Sequence, residues 1–318
     1  MKPLAGKVAW VAGATRGAGR GIARMLGEAG ATVYCSGRSS HTQPNTSNHH
    51  YAGRPETIEE TAELVTAAGG QGIAFRADHN VESDVAAVAQ KIAADHQKLD
   101  LLVNVLTGEP IHLLTGTFAT QPSSRCRDFF DSWIWSHVTT AWHAVQLMRP
   151  NRSGLLVELV EHAHLPYHSH FYLDFMEIAL KRLSHTLACD LKPDGISAIC
   201  VAPGFMRTEA ILEHFGVTEQ NWRDALRNDE PRKFGWQGSE TPCFTGRAVA
   251  ALAADPNIAS KSGGIFSTWD LSREYGFTDI DGSLPEHHIL DAAMKAYFDE
   301  LPPGPNFTWN VRQSTTNP

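Results

Sequence analysis

Short apolar runs alternate with longer amphipathic stretches along most of the chain. Segments such as LDLLVNVL and ISAICVA are apolar at nearly every position. Strands of this kind belong to a parallel sheet covered on both faces, because alternation is lost when neither face meets water. The pattern predicts strands at 7–13, 31–37, 72–78, 99–106, 154–160, 196–202 and 264–269. Helices are predicted over 18–29, 55–68, 81–97, 125–148, 171–191 and 241–254. Repeated strand–helix–strand units with right-handed crossovers make an α/β, doubly wound parallel sheet of about seven strands. Residues 1–269 are expected to form that domain. Residues 205–240 interrupt its last unit and read as a helical substrate lid. Residues 270–318, with Trp309 and several prolines, read as a C-terminal extension. Residues 38–54 are polar and turn-rich, and no internal repeat is present.

With 318 residues, 42% of them hydrophobic, the chain can bury the core of one large domain. A formal net charge of −8 argues against nucleic acid or an anionic membrane as a partner. The five cysteines (35, 126, 189, 200 and 243) are scattered and show no paired spacing, as in a reduced, cytoplasmic protein. No apolar run reaches the roughly eighteen residues of a membrane span. The opening MKPLAGKVAW reads as the first strand and not as a signal peptide.

The candidate chemistry begins at the end of the first strand, where Gly13-x3-Gly17-x-Gly19 leads into a helix. Glycine suits a tight turn and a close approach of backbone to a pyrophosphate. The free N–H groups at the helix start suit its charge. Thr15 and Arg16 lie inside this loop. The second strand ends in Gly37-Arg38-Ser39, where an acidic residue would favour the free ribose of NAD. Arg38, with Arg16 as a second cation, favours the 2′-phosphate of NADP(H) instead.

These motifs resemble the short-chain dehydrogenase/reductase family over about residues 4–268, and the resemblance implies a Rossmann-like fold. Asp78 ends the third strand, where the family places an acid against the adenine ring. Leu101-Leu102-Val103-Asn104 resembles the fourth-strand motif. Pro203-Gly204-Phe205-Met206-Arg207-Thr208 matches the family's PG-x-x-x-T, whose backbone and threonine meet the cofactor.

The family's catalytic side chains carry over poorly. Its Tyr-x3-Lys pair needs both groups on one helical face. Here Tyr172 plus four is Met176. Counting back from Leu187-Ala188 instead puts Leu173 at the tyrosine position and Glu177 at the lysine position. One extra residue in the first turn, as a π-bulge, would reconcile the two registers. Val160 and Glu161 stand where the serine is expected, and Trp133 stands near the family's asparagine.

Polar residues of other types fill the region: Glu158, Glu161, His162, His164, Tyr167, His168, His170, Tyr172 and Asp174. The alternating histidines invite a metal reading, but alternate loop residues need not converge, and no metal is assigned. Glu161, His162, Tyr172 and Trp133 are the candidate catalytic residues. Trp135, Trp142 and His137 suit core or subunit interface.

Three functions fit. One is an atypical NADP(H)-dependent reductase acting on a bulky, largely apolar small molecule. Another is a non-redox enzyme of the same descent (a cyclase, isomerase or dehydratase, possibly of secondary metabolism), with His/Glu acid–base groups and NADP(H) structural or absent. The third is a non-catalytic NADP(H) sensor. A homo-oligomer, dimer or tetramer, is expected.

Overall fold

The computed structural model describes residues 2–43, 53–107, 118–120, 122–163, 171–233 and 235–289. His164, Tyr167, His168, His170 and Trp309 lie outside these residues. Seven strands form one sheet: β1 (Val8–Ala12), β2 (Thr32–Gly37), β3 (Gln71–Arg76), β4 (Leu101–Asn104), β5 (Gly154–Leu159), β6 (Ile196–Ala202) and β7 (Ile265–Ser267). Their order is β3-β2-β1-β4-β5-β6-β7, and every pairing is parallel. The order reverses between β1 and β4, where Ala12 lies beside both Ser36 and Asn104. A crevice therefore opens at the carboxyl ends of these strands.

Helices cover both faces, as the apolar runs require. One face packs α1 (Gly17–Glu28), α2 (Ile58–Ala67) and α9 (Pro242–Ala254), with Ile22, Leu26, Val65, Val249 and Leu252 in the core. The other packs α3 (Glu82–His96), α5 (Ser136–Met148) and α6 (Phe171–Asp190), with Val85, Ile92, Ala144, Met148 and Ala188 buried. Local signals place the helix starts. At α2, the Thr57 hydroxyl accepts the Glu60 N–H while the Glu60 carboxylate accepts the Thr57 N–H, a capping box. At α9, Pro242 occupies the first helical position after the Thr241 cap.

The π-helical irregularity lies on a different helix from the one expected. α6 is α-helical from Phe171 to Asp190. The π segment, Phe130–Trp135, instead joins α4 (Ser123–Phe129) to α5. There the Ser136 N–H reaches the Asp131 carbonyl, five residues back. The hydroxyls of Ser132 and Ser136 donate to carbonyls four residues back, Asp128 O and Ser132 O, which relaxes the normal ladder. The last strand is also shorter than predicted. The Ser267 hydroxyl accepts the Asp270 N–H and starts α10 (Thr268–Tyr275), so the segment after residue 267 is helical.

Residues 205–240 carry α7 (Glu209–His214), a 3-10 segment (Trp222–Arg227) and α8 (Asp229–Lys233). Buried Trp222 and Trp236 hold them together, and the Trp236 indole N–H donates to Trp222 O at 2.9 Å.

Gly21 is where α1 meets α9. A Cβ there would stand 2.3 Å from the Pro242 carbonyl carbon. Gly21→Ala is expected to lower unfolding free energy by about 1–3 kcal/mol through overpacking. Urea denaturation reads this out, and an unchanged midpoint would mean that the two helices can part without cost.

Candidate active site

The crevice between β1 and β4 is a cleft of about 290 Å³. Its floor is the glycine loop. Gly13 sits at φ 89°, and a Cβ on it would lie 2.6 Å from Val105 O. Gly17 sits at φ 53°. A Cβ on Gly19 would lie 2.2 Å from Gly13 O, so Gly19 serves the close docking of α1 on the loop and not the cleft surface. These are the constraints that a dinucleotide cradle imposes.

Thr15, Arg16, Arg38, Asp78 and His79 line the cleft beside the ends of β1, β2 and β3. The Arg16 Nε lies 3.3 Å from a Glu56 carboxylate oxygen, and Arg54 NH2 lies 2.8 Å from the other. Burial opposes ionisation of Glu56. Hydrogen bonds from Arg54 and the charges of Arg54 and Arg16 outweigh that and hold its pKa below the ordinary value. Asp78 accepts the Asn80 N–H at 3.0 Å, which shapes the turn after β3. His79 is buried between the Ser36 and Thr140 hydroxyls at 2.9 Å each, and burial pushes its pKa down to about 3. The glycine loop and the residues that line the cleft fit a dinucleotide. One acid already occupies the cradle, however: the Gly17 N–H donates to Glu209 Oε2 at 2.8 Å. A phosphate reaching that N–H must displace a carboxylate.

Asn104, Pro203 and Gly204 do not line the cleft. Asn104 is fully buried and donates to Glu158 Oε1 at 2.9 Å. The Gly204 N–H donates to Glu240 at 3.0 Å. Glu240 also accepts from the hydroxyls of Thr245 and Thr268, at 2.8 and 2.7 Å. Burial pushes its pKa up to about 7. Thr208 reaches the cleft and caps α7, where its hydroxyl accepts the Ile211 N–H.

At the far end, Glu161 lines the cleft just beyond β5, with Leu159 and Ser136 beside it. Desolvation and the nearby Glu177 charge push its pKa up to about 7, against the pull of Lys181. The other candidates lie elsewhere. Tyr172 is 2% exposed, packed with Phe129 and Phe171, and its hydroxyl donates to Pro122 O at 3.4 Å. Trp133 is buried in the same cluster, on the π segment. His162 follows Glu161 but does not line the cleft.

Two groupings were missed in the sequence. Lys181 Nζ lies 3.1 Å from Glu177 Oε2 inside α6, and both side chains are almost fully buried. The i,i+4 acid–base spacing was the available signal. His137 Nδ1 lies 2.5 Å from Glu158 Oε2, and its Nε2 lies 2.7 Å from Leu106 O. These residues are 21 positions apart, and only the packing of α5 on β5 brings them together.

A doubly wound parallel sheet with a glycine-floored cleft at its switch point defines a Rossmann-like dinucleotide-binding class. A family model described as enoyl-(acyl carrier protein) reductase matches residues 13–259. The chain is 32% identical over 303 residues to the Homo sapiens protein named dehydrogenase/reductase SDR family member 1, covering 94% of this chain and 91% of that one. The Mus musculus protein of the same name is 31% identical, with 89% and 86% covered. A crystal structure of a short chain dehydrogenase from Mycobacterium thermoresistibile superposes with a TM-score of 0.71 at 20% identity, covering 89% of this chain and 92% of that one. The chain belongs to the short-chain dehydrogenase/reductase family, oxidoreductases that use nicotinamide cofactors.

Glu240 ties cleft geometry to pH. Folded, it keeps its proton up to about pH 7, whereas an unfolded glutamate loses it near 4.5. Between these values the folded chain holds the extra proton. This contribution to stability is therefore full below about 4.5 and falls as pH rises to about 7, by up to about 1.4 kcal/mol per pH unit. Glu240→Gln should narrow the difference in urea stability between about pH 5 and about pH 7. An equal difference in both proteins would remove Glu240 as the titrating group.

Proposed function

We propose that the protein is an NADP(H)-dependent oxidoreductase of atypical catalytic make-up, with Glu161 as its acid–base group and a bulky, largely apolar small molecule as substrate. The observation that carries this reading is the position of Glu161. It is the candidate acid–base side chain that both lines the cleft and carries a pKa near neutrality. When bound, the nicotinamide supplies or accepts the hydride. Glu161 donates its proton to the substrate oxygen during reduction and takes one during oxidation. Arg16 and Arg38 hold the 2′-phosphate, Gly13 and Gly17 admit the pyrophosphate, and Thr208 meets the cofactor from the lid side. Asn104 and Gly204 keep their places beside the cofactor through the contacts of Glu158 and Glu240, and Pro203 joins β6 to Gly204. Residues 205–240 act as the substrate lid, with Met206 and Ala210 on the cleft.

The exposed aromatic residues Phe130, Trp135, Trp142 and Phe175 support a homo-oligomer, dimer or tetramer. Among the described residues, no helix is long and apolar enough to cross a membrane. The free thiols of Cys35, Cys189, Cys200 and Cys243 suit a cytoplasmic setting.

Titration calorimetry should give tighter binding of NADPH than of NADH. Arg38→Ala should lose about 1.5–3 kcal/mol of that binding. Glu209→Gln should tighten it about tenfold, because the competing carboxylate is gone. Equal affinities for the two dinucleotides in the wild type end the NADP(H) assignment.

Reduction of a panel of bulky ketones with 4-deuterated NADPH should place deuterium in the product carbinol. Glu161→Gln should slow turnover by about 10²- to 10⁴-fold while dinucleotide affinity is retained. Tyr172→Phe should leave turnover within about threefold, well short of an acid–base loss. Full activity without any nicotinamide would instead establish the non-redox cyclase, isomerase or dehydratase.

A further inference from the structure

Three ionisable residues come together beside the cleft, and only one of them, Glu161, lines it. Glu161 comes from the end of β5; Glu177 and Lys181 come from successive turns of α6. The Glu161 backbone N–H donates to Glu177 Oε1 at 3.0 Å, and Glu177 Oε2 pairs with Lys181 Nζ at 3.1 Å. Glu177 therefore has one oxygen on the residue that faces the cleft and the other on a buried ammonium. The side chains of Glu177 and Lys181 are 3% and 1% exposed, so water cannot substitute for either partner.

We propose that Lys181 is a positioning residue for proton transfer. By pairing with Glu177 it fixes the carboxylate that holds the Glu161 backbone, and it leaves Glu161 as the member of the trio that takes up and releases a proton.

The charge count carries the argument. With Glu177 and Lys181 paired, the trio is neutral when Glu161 is protonated and carries one net negative charge when it is not. A buried site favours the neutral state. Other charged or titratable groups face the same place. From β5 comes Glu158, paired with His137 of α5. From β6 comes Cys200, whose thiol burial pushes up to about 12 and which senses Glu158, Lys181 and Glu177.

In catalysis the step balances simply. The Glu161 O–H bond breaks as the proton passes to the substrate oxygen. Its electron pair stays on the carboxylate, and solvent restores the proton between turnovers. The assignment of Glu161 rests on the function proposed above. The role of Lys181 is separable from it, because it concerns where one carboxyl group titrates.

Infrared difference titration of the whole protein, without substrate or dinucleotide, tests this. Glu161 and Glu240 should both lose a protonated-carboxyl C=O band around pH 7; the part of the signal that Glu161→Gln lacks and Glu240→Gln keeps belongs to Glu161, and its midpoint is the one followed. Lys181→Met removes a cation and should move the midpoint about one pH unit higher or more. Glu177→Gln removes an anion and should move it lower. Lys181→Arg keeps the charge and should leave it near the wild-type value. Midpoints that coincide in folded wild type, Lys181→Met and Glu177→Gln would overturn the proposal. If Lys181→Met does not fold, Glu177→Gln decides: a lower midpoint supports the proposal and an unmoved one overturns it. Hydride transfer with unmoved midpoints would defeat Lys181 alone. Shifted midpoints in a chain that transfers no hydride would defeat the reductase reading and leave Lys181 standing.

Discussion

A Cβ on Gly19 would strike the Gly13 carbonyl at 2.2 Å, and the whole cleft follows from that close approach. Because α1 sits directly on the loop that leads into it, its first N–H groups open onto the switch point between β1 and β4. The same helix is locked from its other side, where Gly21 meets Pro242 and a Cβ on Gly246 would meet Gly21 O at 2.6 Å. The glycines of α1 and α9 therefore set the depth of the cleft through backbone contact. That contact is less deformable than side-chain packing, since a clash there can be relieved only by moving whole helices.

The second organising feature is acidic. Glu209 takes the Gly17 N–H and lies 4.0 Å from Arg20. Glu213 of the same short helix pairs with Arg54, which shares Glu56 with Arg16. Segment 205–240 is thus fastened to the cleft by carboxylates that face the donors and cations suited to phosphates. Two further carboxyls follow a related logic. Glu240 and Glu161 are both pushed toward neutral pKa values by burial, one holding the Gly204 backbone and the other facing the cleft. Among the described residues, desolvation raises the pKa of both of these carboxyls.

Much of this was legible in the residues. The strand segments are apolar on both faces, so their number and parallel arrangement follow from covering both faces of the sheet. The glycine spacing, Arg38 and Asp78 fall on the cleft because they are close in sequence to strand ends whose direction the fold fixes. Glu161 was legible for the same reason, three residues past Glu158 at the end of β5. Tyr172, expected among the catalytic residues, does not line the cleft: its ring packs against Phe129 and Phe171, and apolar burial wins over exposure of one hydroxyl. The irregular helical turn was expected on the wrong helix, because its cause is serine-to-carbonyl bonding at 132 and 136 and not a slipped register in α6.

Period, glycine placement and strand-end chemistry are local properties, and by themselves they determined the sheet, its covering helices and the glycine-floored part of the cleft. The reacting end depended on distance between elements remote in the chain. Glu161 meets Glu177 across 16 residues, His137 meets Glu158 across 21, and Glu209 meets Gly17 across 192. No periodicity encodes such meetings. They arise when α5 and α6 dock on one face of the sheet and α7 folds back to the glycine loop after β1, and the low dielectric created by burial sets which carboxyl keeps its proton.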